Sequence, residues 1–316
     1  MRVLVTGASG FVGSHLVPDL GRRRHEVIVL RRRHGGALAS SVALDAPEDL
    51  AANEGWDAWP SVDAVVHLAA LNPGRGETAF HDEAALMRAN VEATRVLAER
   101  AAAAGARRFV FLSTANVHPA GEGPARAGDP LRPQNAYAAS KLAAEQALWE
   151  VADASGLEIC ILRPPPIYGR RGRGGLAQLV RLAQGSLPLP FGALANRRSV
   201  LAVQNVVDAI ALALHHPEAA GETFLLADSG TVSTAEIIRL VRAATGRRPG
   251  LYAVPVSLLR AGLRIAGGTE LAERLYGSFV VDDQPIRQRL AWHPPMTTEA
   301  ALAVMLGGPN PDADSR

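Results

Sequence analysis

The chain of 316 residues contains one cysteine, Cys160. That single thiol excludes an internal disulfide framework and any multi-cysteine metal site. No apolar run approaches the roughly 20 residues that a membrane helix needs, so no membrane partner is expected. A strand-like run starts within two residues of Met1 and leaves no room for a signal peptide, so a cytoplasmic protein is expected. Charge of one sign is scarce too. Lys and Arg number 33 against 31 Asp and Glu, a net charge of +2, which gives no support to a nucleic-acid partner. Internal repeats are absent, as are low-complexity tracts beyond alanine-rich segments. The length exceeds what one compact core needs and suits a larger domain carrying a smaller lobe.

What is present is alternation. Short β-branched runs read as strands over Arg2 to Thr6, Glu26 to Leu30, Ala64 to Leu68, Arg108 to Ser113 and Glu158 to Leu162. Helix-forming segments lie between them, notably Asp82 to Ala104 and Tyr137 to Ala154. This order predicts an α/β fold with a parallel sheet covered on both faces. Pro18 falls inside the first expected helix, where proline costs roughly 3 kcal/mol, and a kink is expected. After Pro164 the pattern breaks into Gly- and Pro-punctuated pieces. Residues 1–165 are assigned to the first domain, completed by about 200–225 through a helix at Val203 to His216. Residues 166–199 and 226–306 are assigned to the smaller lobe, with helices at Thr231 to Thr245 and Pro255 to Tyr276. The polar tail 307–316 is expected to be disordered.

The first strand runs straight into Thr6-Gly7-Ala8-Ser9-Gly10-Phe11-Val12-Gly13. Gly7 and Gly10 let the backbone turn sharply and approach a diphosphate. Gly13 lets the following helix pack closely on the sheet, with its N-terminus toward the anion. Three glycines alone mark only a turn; a strand before and a helix after make them a dinucleotide site. The sheet is therefore expected to be a Rossmann-type, doubly wound one. After the second strand an acid would bind the ribose hydroxyls of NAD, but this chain has Arg31, Arg32 and Arg33. Guanidinium groups there suit a 2′-phosphate, so NADP is the expected cofactor and NAD the alternative; a solvated basic loop is the bland reading. Further arginine clusters stand at Arg22 to Arg24, Arg170 to Arg173 and Arg197 to Arg198.

Tyr137 and Lys141 lie one turn apart on one helix face, and Ser113-Thr114 ends a strand. A tyrosine with a pKa of about 10 is a poor base at neutral pH. An adjacent ammonium is expected to lower it, and the Thr114 hydroxyl to share the proton and align a substrate oxygen. A Tyr and a Lys at this spacing are ordinarily surface residues; the glycine turn upstream makes them a catalytic candidate.

These motifs together resemble the extended short-chain dehydrogenase/reductase family, over nearly all of the chain to about Leu306. The likeness is carried by the glycine turn, His67-Leu68-Ala69-Ala70, Asn90, Ser113-Thr114, Tyr137 with Lys141, Leu162-Arg163-Pro164-Pro165-Pro166-Ile167-Tyr168-Gly169 and Arg197-Arg198-Ser199. Pro188-Leu189-Pro190-Phe191-Gly192 and Leu290-Ala291-Trp292-His293-Pro294 look like its nucleotide-sugar 4-epimerase and 4-ketoreductase branch, which serves polysaccharide biosynthesis.

The resemblance implies that Gly7, Gly10, Phe11, Val12, Gly13, Leu68, Ala69, Ala70 and Pro164 contact the cofactor. It places Lys141 on the nicotinamide ribose and Asp45, after a third strand, on the adenine. Thr114 and Tyr137 would flank the reacting hydroxyl, with Asn90 and Asn116 as polar contacts nearby. Arg198 would face a substrate phosphate, a role that suits a bidentate fork; its structural alternative is a salt bridge between lobes. The departures matter as well. Dehydratases and decarboxylases of the family carry carboxylates just after the catalytic Thr, whereas this chain reads Ala115-Asn116, so elimination is not expected. The cysteine of 3,5-epimerising members is missing there too. His118-Pro119 replaces a common Tyr-Gly, and Gln204-Asn205 a segment that often holds Asp. The expected activity is reduction of a 4-keto sugar carried on a nucleotide diphosphate, UDP above all. The alternative is a 4-epimerase of the UDP-glucose or UDP-N-acetylglucosamine type, and a third reading is a non-catalytic NADP-sensing regulator. A homodimer through the alanine-rich helices is implied by the resemblance.

Overall fold

The computed structural model describes residues 1–32, 41–47, 49–52, 59–72, 82–121, 123–172, 174–259 and 275–308. Arg33, Arg173, most of the helix expected at Pro255 to Tyr276, the tail beyond Gly308 and the Arg32 side chain lie outside that description.

Seven parallel strands form one sheet in the order β3-β2-β1-β4-β5-β6-β9. They are β1 (Arg2–Thr6), β2 (Glu26–Arg32), β3 (Val42–Ala46), β4 (Ala64–His67), β5 (Arg108–Leu112), β6 (Glu158–Arg163) and β9 (Glu222–Leu225). The order reverses between β1 and β4, whose last paired residues are Thr6 and His67. Such a switch point opens a crevice at the carboxyl ends of the strands. Strands buried on both faces read as continuous apolar runs: Val3, Leu4 and Val5 in β1 and Val65 and Val66 in β4 are wholly buried.

Helix α1 (Gly13–Arg22) and helix α6 (Val203–His215) cover one face. Burial of Leu16, Val17 and Leu20 of α1 stabilises that contact by roughly 1.5–3 kcal/mol per side chain. Pro18 is exposed, and α1 continues past it to Arg22. On the other face lie α3 (Ala93–Ala103) and α4 (Ala136–Ser155). The segment expected as one helix from Asp82 is divided into α2 (Glu83–Met87), a π-helical turn (Arg88–Glu92) and α3.

A separate apolar cluster gathers α5 (Gly175–Ala183), α7 (Thr234–Ala244) and the helix Thr298–Met305 beside the two-stranded β7 (Ile167–Tyr168) and β8 (Leu201–Ala202). The buried Asp228 ties this cluster to the sheet. It accepts hydrogen bonds from Tyr168 Oη at 2.7 Å, Ala202 N at 2.9 Å, Asn205 Nδ2 at 2.7 Å and Thr298 Oγ1 at 3.1 Å.

Two strand readings change. β2 runs on through Arg31 and Arg32 because β3 supplies a parallel partner, with Arg31 opposite Asp45. Asp45 therefore lies within the third strand and not after it.

Candidate active site

Glycine is required by geometry at two points of the β1–α1 turn. Gly7 has φ +69°, and a Cβ there would stand 2.6 Å from Ala69 N and 2.7 Å from the Leu68 carbonyl carbon. A Cβ on Gly13 would lie 2.3 Å from Gly7 O and 2.6 Å from Ala8 Cα. Gly10 is different: a Cβ there would meet only Gly7 O at 3.0 Å, and the residue is exposed. Phe11, half-buried, packs near the Gly169 and Gly172 turn, and Val12 is buried.

The two sides of the switch point are tied by a buried polar chain. Thr6 Oγ1 accepts from Leu68 N at 3.2 Å and Ala69 N at 3.1 Å, and meets His67 Nδ1 at 2.6 Å. His67 Nε2 lies 2.9 Å from Thr94 Oγ1, whose hydroxyl donates to Asn90 O at 2.6 Å. The only assignment in which every group is served puts the proton on Nε2 and lets Thr6 donate to Nδ1. Burial, aided by Lys141, drives His67 down to about 3, so the ring is neutral as this assignment demands.

Asn90 sits on the π-helical turn, where an extra residue re-aims a side chain. Its Nδ2 donates to Leu71 O at 3.0 Å and to Ser140 Oγ at 2.9 Å, and its Oδ1 accepts from Leu71 N at 2.7 Å. Both amide hydrogens thus go to protein partners. Asn90 clamps the segment after β4 to α4, a different role from the substrate contact implied by resemblance.

Thr114 follows β5, fixed by Ser113 N donating to Leu162 O and Ala115 N donating to Pro164 O, both at 2.8 Å. Its Oγ1 accepts from Asn116 N at 3.2 Å, so its own proton is available to another acceptor. The Asn135 side chain caps α4 through Ala138 N at 2.8 Å, which sets Tyr137 in the first turn and Lys141 one turn on. The Lys141 ammonium lies 3.8 Å from the centre of the Phe111 ring, which also stacks on His67. Burial pushes the Tyr137 phenol up to about 12 and the Lys141 ammonium down to about 7, partly opposed by Glu145. The expected lowering of the phenol by its neighbour is not found: desolvation by burial sets the direction.

The sequence profile of the NAD dependent epimerase/dehydratase family matches residues 3–227. The chain belongs to that family. A UDP-glucose 4-epimerase of Vibrio cholerae is 30% identical over 303 residues, 94% of this chain and 92% of the relative. A GDP-6-deoxy-D-mannose reductase of Pseudomonas aeruginosa is 28% identical over 325 residues and 96% of each chain. The solved structure of MoeE5 in complex with UDP-glucose and NAD superposes with a TM-score of 0.74 at 25% identity, covering 97% of this chain and 98% of that one.

In this epimerase/dehydratase family member the arginines have distinct settings. Arg31 Nε donates to Asp45 Oδ1 at 2.9 Å, so the first basic residue of the expected phosphate site is already paired with an acid. Arg198 is half-buried and bridges the backbones of Val232 and Phe279. Its Nε donates to Gly277 O at 2.8 Å, and no carboxylate among the described residues pairs with it. Desolvation lowers its pKa, and an anion would relieve that cost.

Sequence reasoning missed a buried group behind the candidate site. Ser113 Oγ donates to Glu145 Oε1, and Arg163 donates to the same carboxylate through Nε at 3.1 and 3.2 Å and Nη2 at 2.5 Å. Arg163 Nη1 also donates to His118 Nε2 at 3.1 Å. That contact leaves the His118 proton on Nδ1, which meets no partner among the described residues. Burial and Arg163 drive His118 down to about 4. The available signal was spacing: Glu145 stands four residues after Lys141, on the same helix face.

Among the described residues no helix is long and apolar enough to cross a membrane, and no cluster of metal-ligating side chains occurs.

Proposed function

We propose that this chain interconverts the C4 epimers of a UDP-linked sugar with a tightly held nicotinamide cofactor. The observation that carries the reading is one constellation. The Thr114 hydroxyl donates to no partner among the described residues, Tyr137 stands in the first turn of α4, and Lys141 lies one turn further along that helix. These groups come from β5 and α4, elements packed beside the β1–β4 switch point.

The β1–α1 turn fits a dinucleotide, because Gly7 and Gly13 admit no side chain, and a Cβ on the exposed Gly10 would meet no group but Gly7 O at 3.0 Å, leaving the turn's outer side to a diphosphate. In this reading Gly7, Gly10, Phe11, Val12 and Gly13 hold the diphosphate. Leu68, Ala69, Ala70 and Pro164 border the nicotinamide, and Lys141 binds its ribose. The cofactor, when bound, exchanges a hydride with the sugar carbon. In the first, oxidising half-reaction the C4 hydroxyl would pass its proton to the Tyr137 phenolate, and in the second Tyr137 would return that proton to the C4 oxygen as the carbonyl becomes a hydroxyl again. Thr114 donates a hydrogen bond where negative charge develops on that oxygen, and Asn116 lines the same turn. Arg198 takes a phosphate of the nucleotide.

The full-length likeness to a 4-epimerase supports epimerisation. A second reading, reduction of a 4-keto sugar with NADPH, is supported by the likeness to a reductase and by the basic segment Arg31 to Arg33. However, the Asp45 carboxylate on Arg31 opposes a 2′-phosphate, which favours NAD and an enzyme that recycles it. The intact Thr114, Tyr137 and Lys141 speak against a non-catalytic regulator. A homodimer through α3 and α4, which pack side by side, belongs to the same proposal.

The test is incubation of the purified protein with UDP-glucose and UDP-N-acetylglucosamine without added cofactor. Appearance of the C4 epimer supports the proposal. Consumption of one NADPH per 4-keto-6-deoxy sugar, with no epimer formed, would replace it by the reductase. Tyr137→Phe should slow turnover by roughly 10²-fold or more while leaving cofactor bound.

A further inference from the structure

The group behind the site has no role in the chemistry described so far. Glu145 is wholly buried on α4, one turn beyond Lys141. A buried carboxylate is costly unless it is paired and hydrogen-bonded. Here it receives both, from two different strands: Arg163 on β6 and Ser113 at the end of β5. Ser113 directly precedes Thr114, so the contact that satisfies Glu145 also anchors the turn carrying the Thr114 hydroxyl. On the helix side, Lys141 meets the Phe111 ring, and among the described residues Glu145 is the acid that acts to keep it charged.

We propose that Glu145 is a positioning residue for the catalytic pair: fixed by Arg163 and Ser113, its carboxylate holds Lys141 in the ammonium form and the Thr114 turn against α4. The inference rests on the reading of Tyr137 and Lys141 as catalytic. The groups facing Glu145 are Lys141 on α4, Ser113 on β5 and Arg163 on β6, with His118 beyond Arg163. Those facing Lys141 are Tyr137 and Glu145 on α4, Phe111 on β5 and the neutral His67 on β4.

The sign is fixed by charge. Removing a buried negative charge one turn away disfavours the ammonium, so Lys141 must lose its proton at lower pH. With Lys141 near half-charged at pH 7, a fall of about one unit would cut the charged fraction there roughly fivefold. The alkaline limb of the kcat/KM profile, where Lys141 loses its proton, would move in the same direction.

Lys141 is the only lysine among the 316 residues, so its titration can be read without assignment. The full-length protein labelled with 13Cε-lysine gives one lysine methylene signal, followed by NMR from pH 5 to 11 in the wild type and in Glu145→Gln. A downward move of about one unit is expected, while Ser113→Ala, which keeps the charge, should leave the midpoint in place. If Glu145→Gln fails to fold because Arg163 is left unpaired, Glu145→Gln/Arg163→Gln is compared with Arg163→Gln, which already lacks the cation, and the Lys141 midpoint should be lower in the double variant. An unchanged Lys141 midpoint in Glu145→Gln, or equal midpoints in the double variant and Arg163→Gln, overturns the proposal. This readout is independent of turnover. A Tyr137→Phe enzyme of normal activity would remove the catalytic reading, whereas an unmoved lysine signal beside a dead Tyr137→Phe would remove only the role of Glu145.

Discussion

Replacing Gly13 by alanine adds three atoms beyond the backbone hydrogen, yet the added Cβ has no space. It would sit 2.3 Å from Gly7 O and 2.6 Å from Ala8 Cα, against an ordinary carbon–carbon separation of about 3.5–4.0 Å. Both neighbours are main chain, so no rotamer change relieves the clash. Gly7 in turn is held at φ +69° against Leu68 and Ala69. Either α1 tilts away from the sheet or the turn shifts toward β4, and overpacking of this kind costs about 1–3 kcal/mol. At about 2 kcal/mol the folding equilibrium falls by roughly 30-fold. Urea denaturation of the cofactor-free protein should show a lower midpoint with an unchanged slope. Gly10→Ala is the control, because its Cβ meets only Gly7 O at 3.0 Å and otherwise faces open space. That variant should lower the midpoint less than Gly13→Ala does, and should bind NAD more weakly by calorimetry. A Gly13→Ala protein as stable as the wild type would refute the packing argument, and a Gly10→Ala protein of normal affinity would remove the diphosphate from this turn.

Other perturbations test other parts of the site. Arg198→Ala should weaken UDP binding by about 1.5–3 kcal/mol with cofactor affinity unchanged; equal UDP affinities would make the residue structural. Because Asp45 occupies Arg31, the wild type should bind NAD at least as tightly as NADP, and Asp45→Asn should shift the preference toward NADP; a wild type that prefers NADP tenfold would contradict this. Lys141 falls from an ordinary value of 10.5 to about 7 on folding, so the unfolded chain holds the extra proton between those values and stability rises with pH through that range. The buried Cys160 thiol and Tyr137 phenol, both raised to about 12, reverse the trend above about pH 9. Between pH 7 and 9 the gain should be about 2 kcal/mol and should vanish in Lys141→Met; a slope that survives the substitution assigns it to other groups.

Much of this was written in local pattern. The apolar β1 run, the glycine spacing and the helix over Tyr137 to Ala154 each follow from rules that operate over a few residues. Val42–Ala46 escaped because an edge strand with Val42 59% exposed has neither alternation nor a continuous apolar run. Arg31 and Arg32 read as a loop because charge hides a strand whose backbone partner is 14 residues away. The helix at Thr234 has a legible start in Ser233 and Glu236, which cap it reciprocally, yet the broader apolar window moved the expected start to Thr231. The π-helical turn is a tertiary effect: Asn90 has to reach Leu71 and Ser140 at once, and composition carries no trace of that demand. The inverted pKa pattern of Tyr137 and Lys141 is of the same kind, since spacing reveals proximity but not the burial that decides sign.

The solitary lysine also makes the molecule its own gauge of local opening. A protease that cuts only after lysine has one target bond, and cleavage there divides the 316 residues into pieces of 141 and 175. That bond lies inside α4, with the Lys141 side chain buried, so it can be cut only when the helix detaches. Where reclosing outpaces cutting, the rate measures the free energy of that detachment. A single gel band splitting into two would thus rank ligands by how firmly each one holds α4 to the sheet.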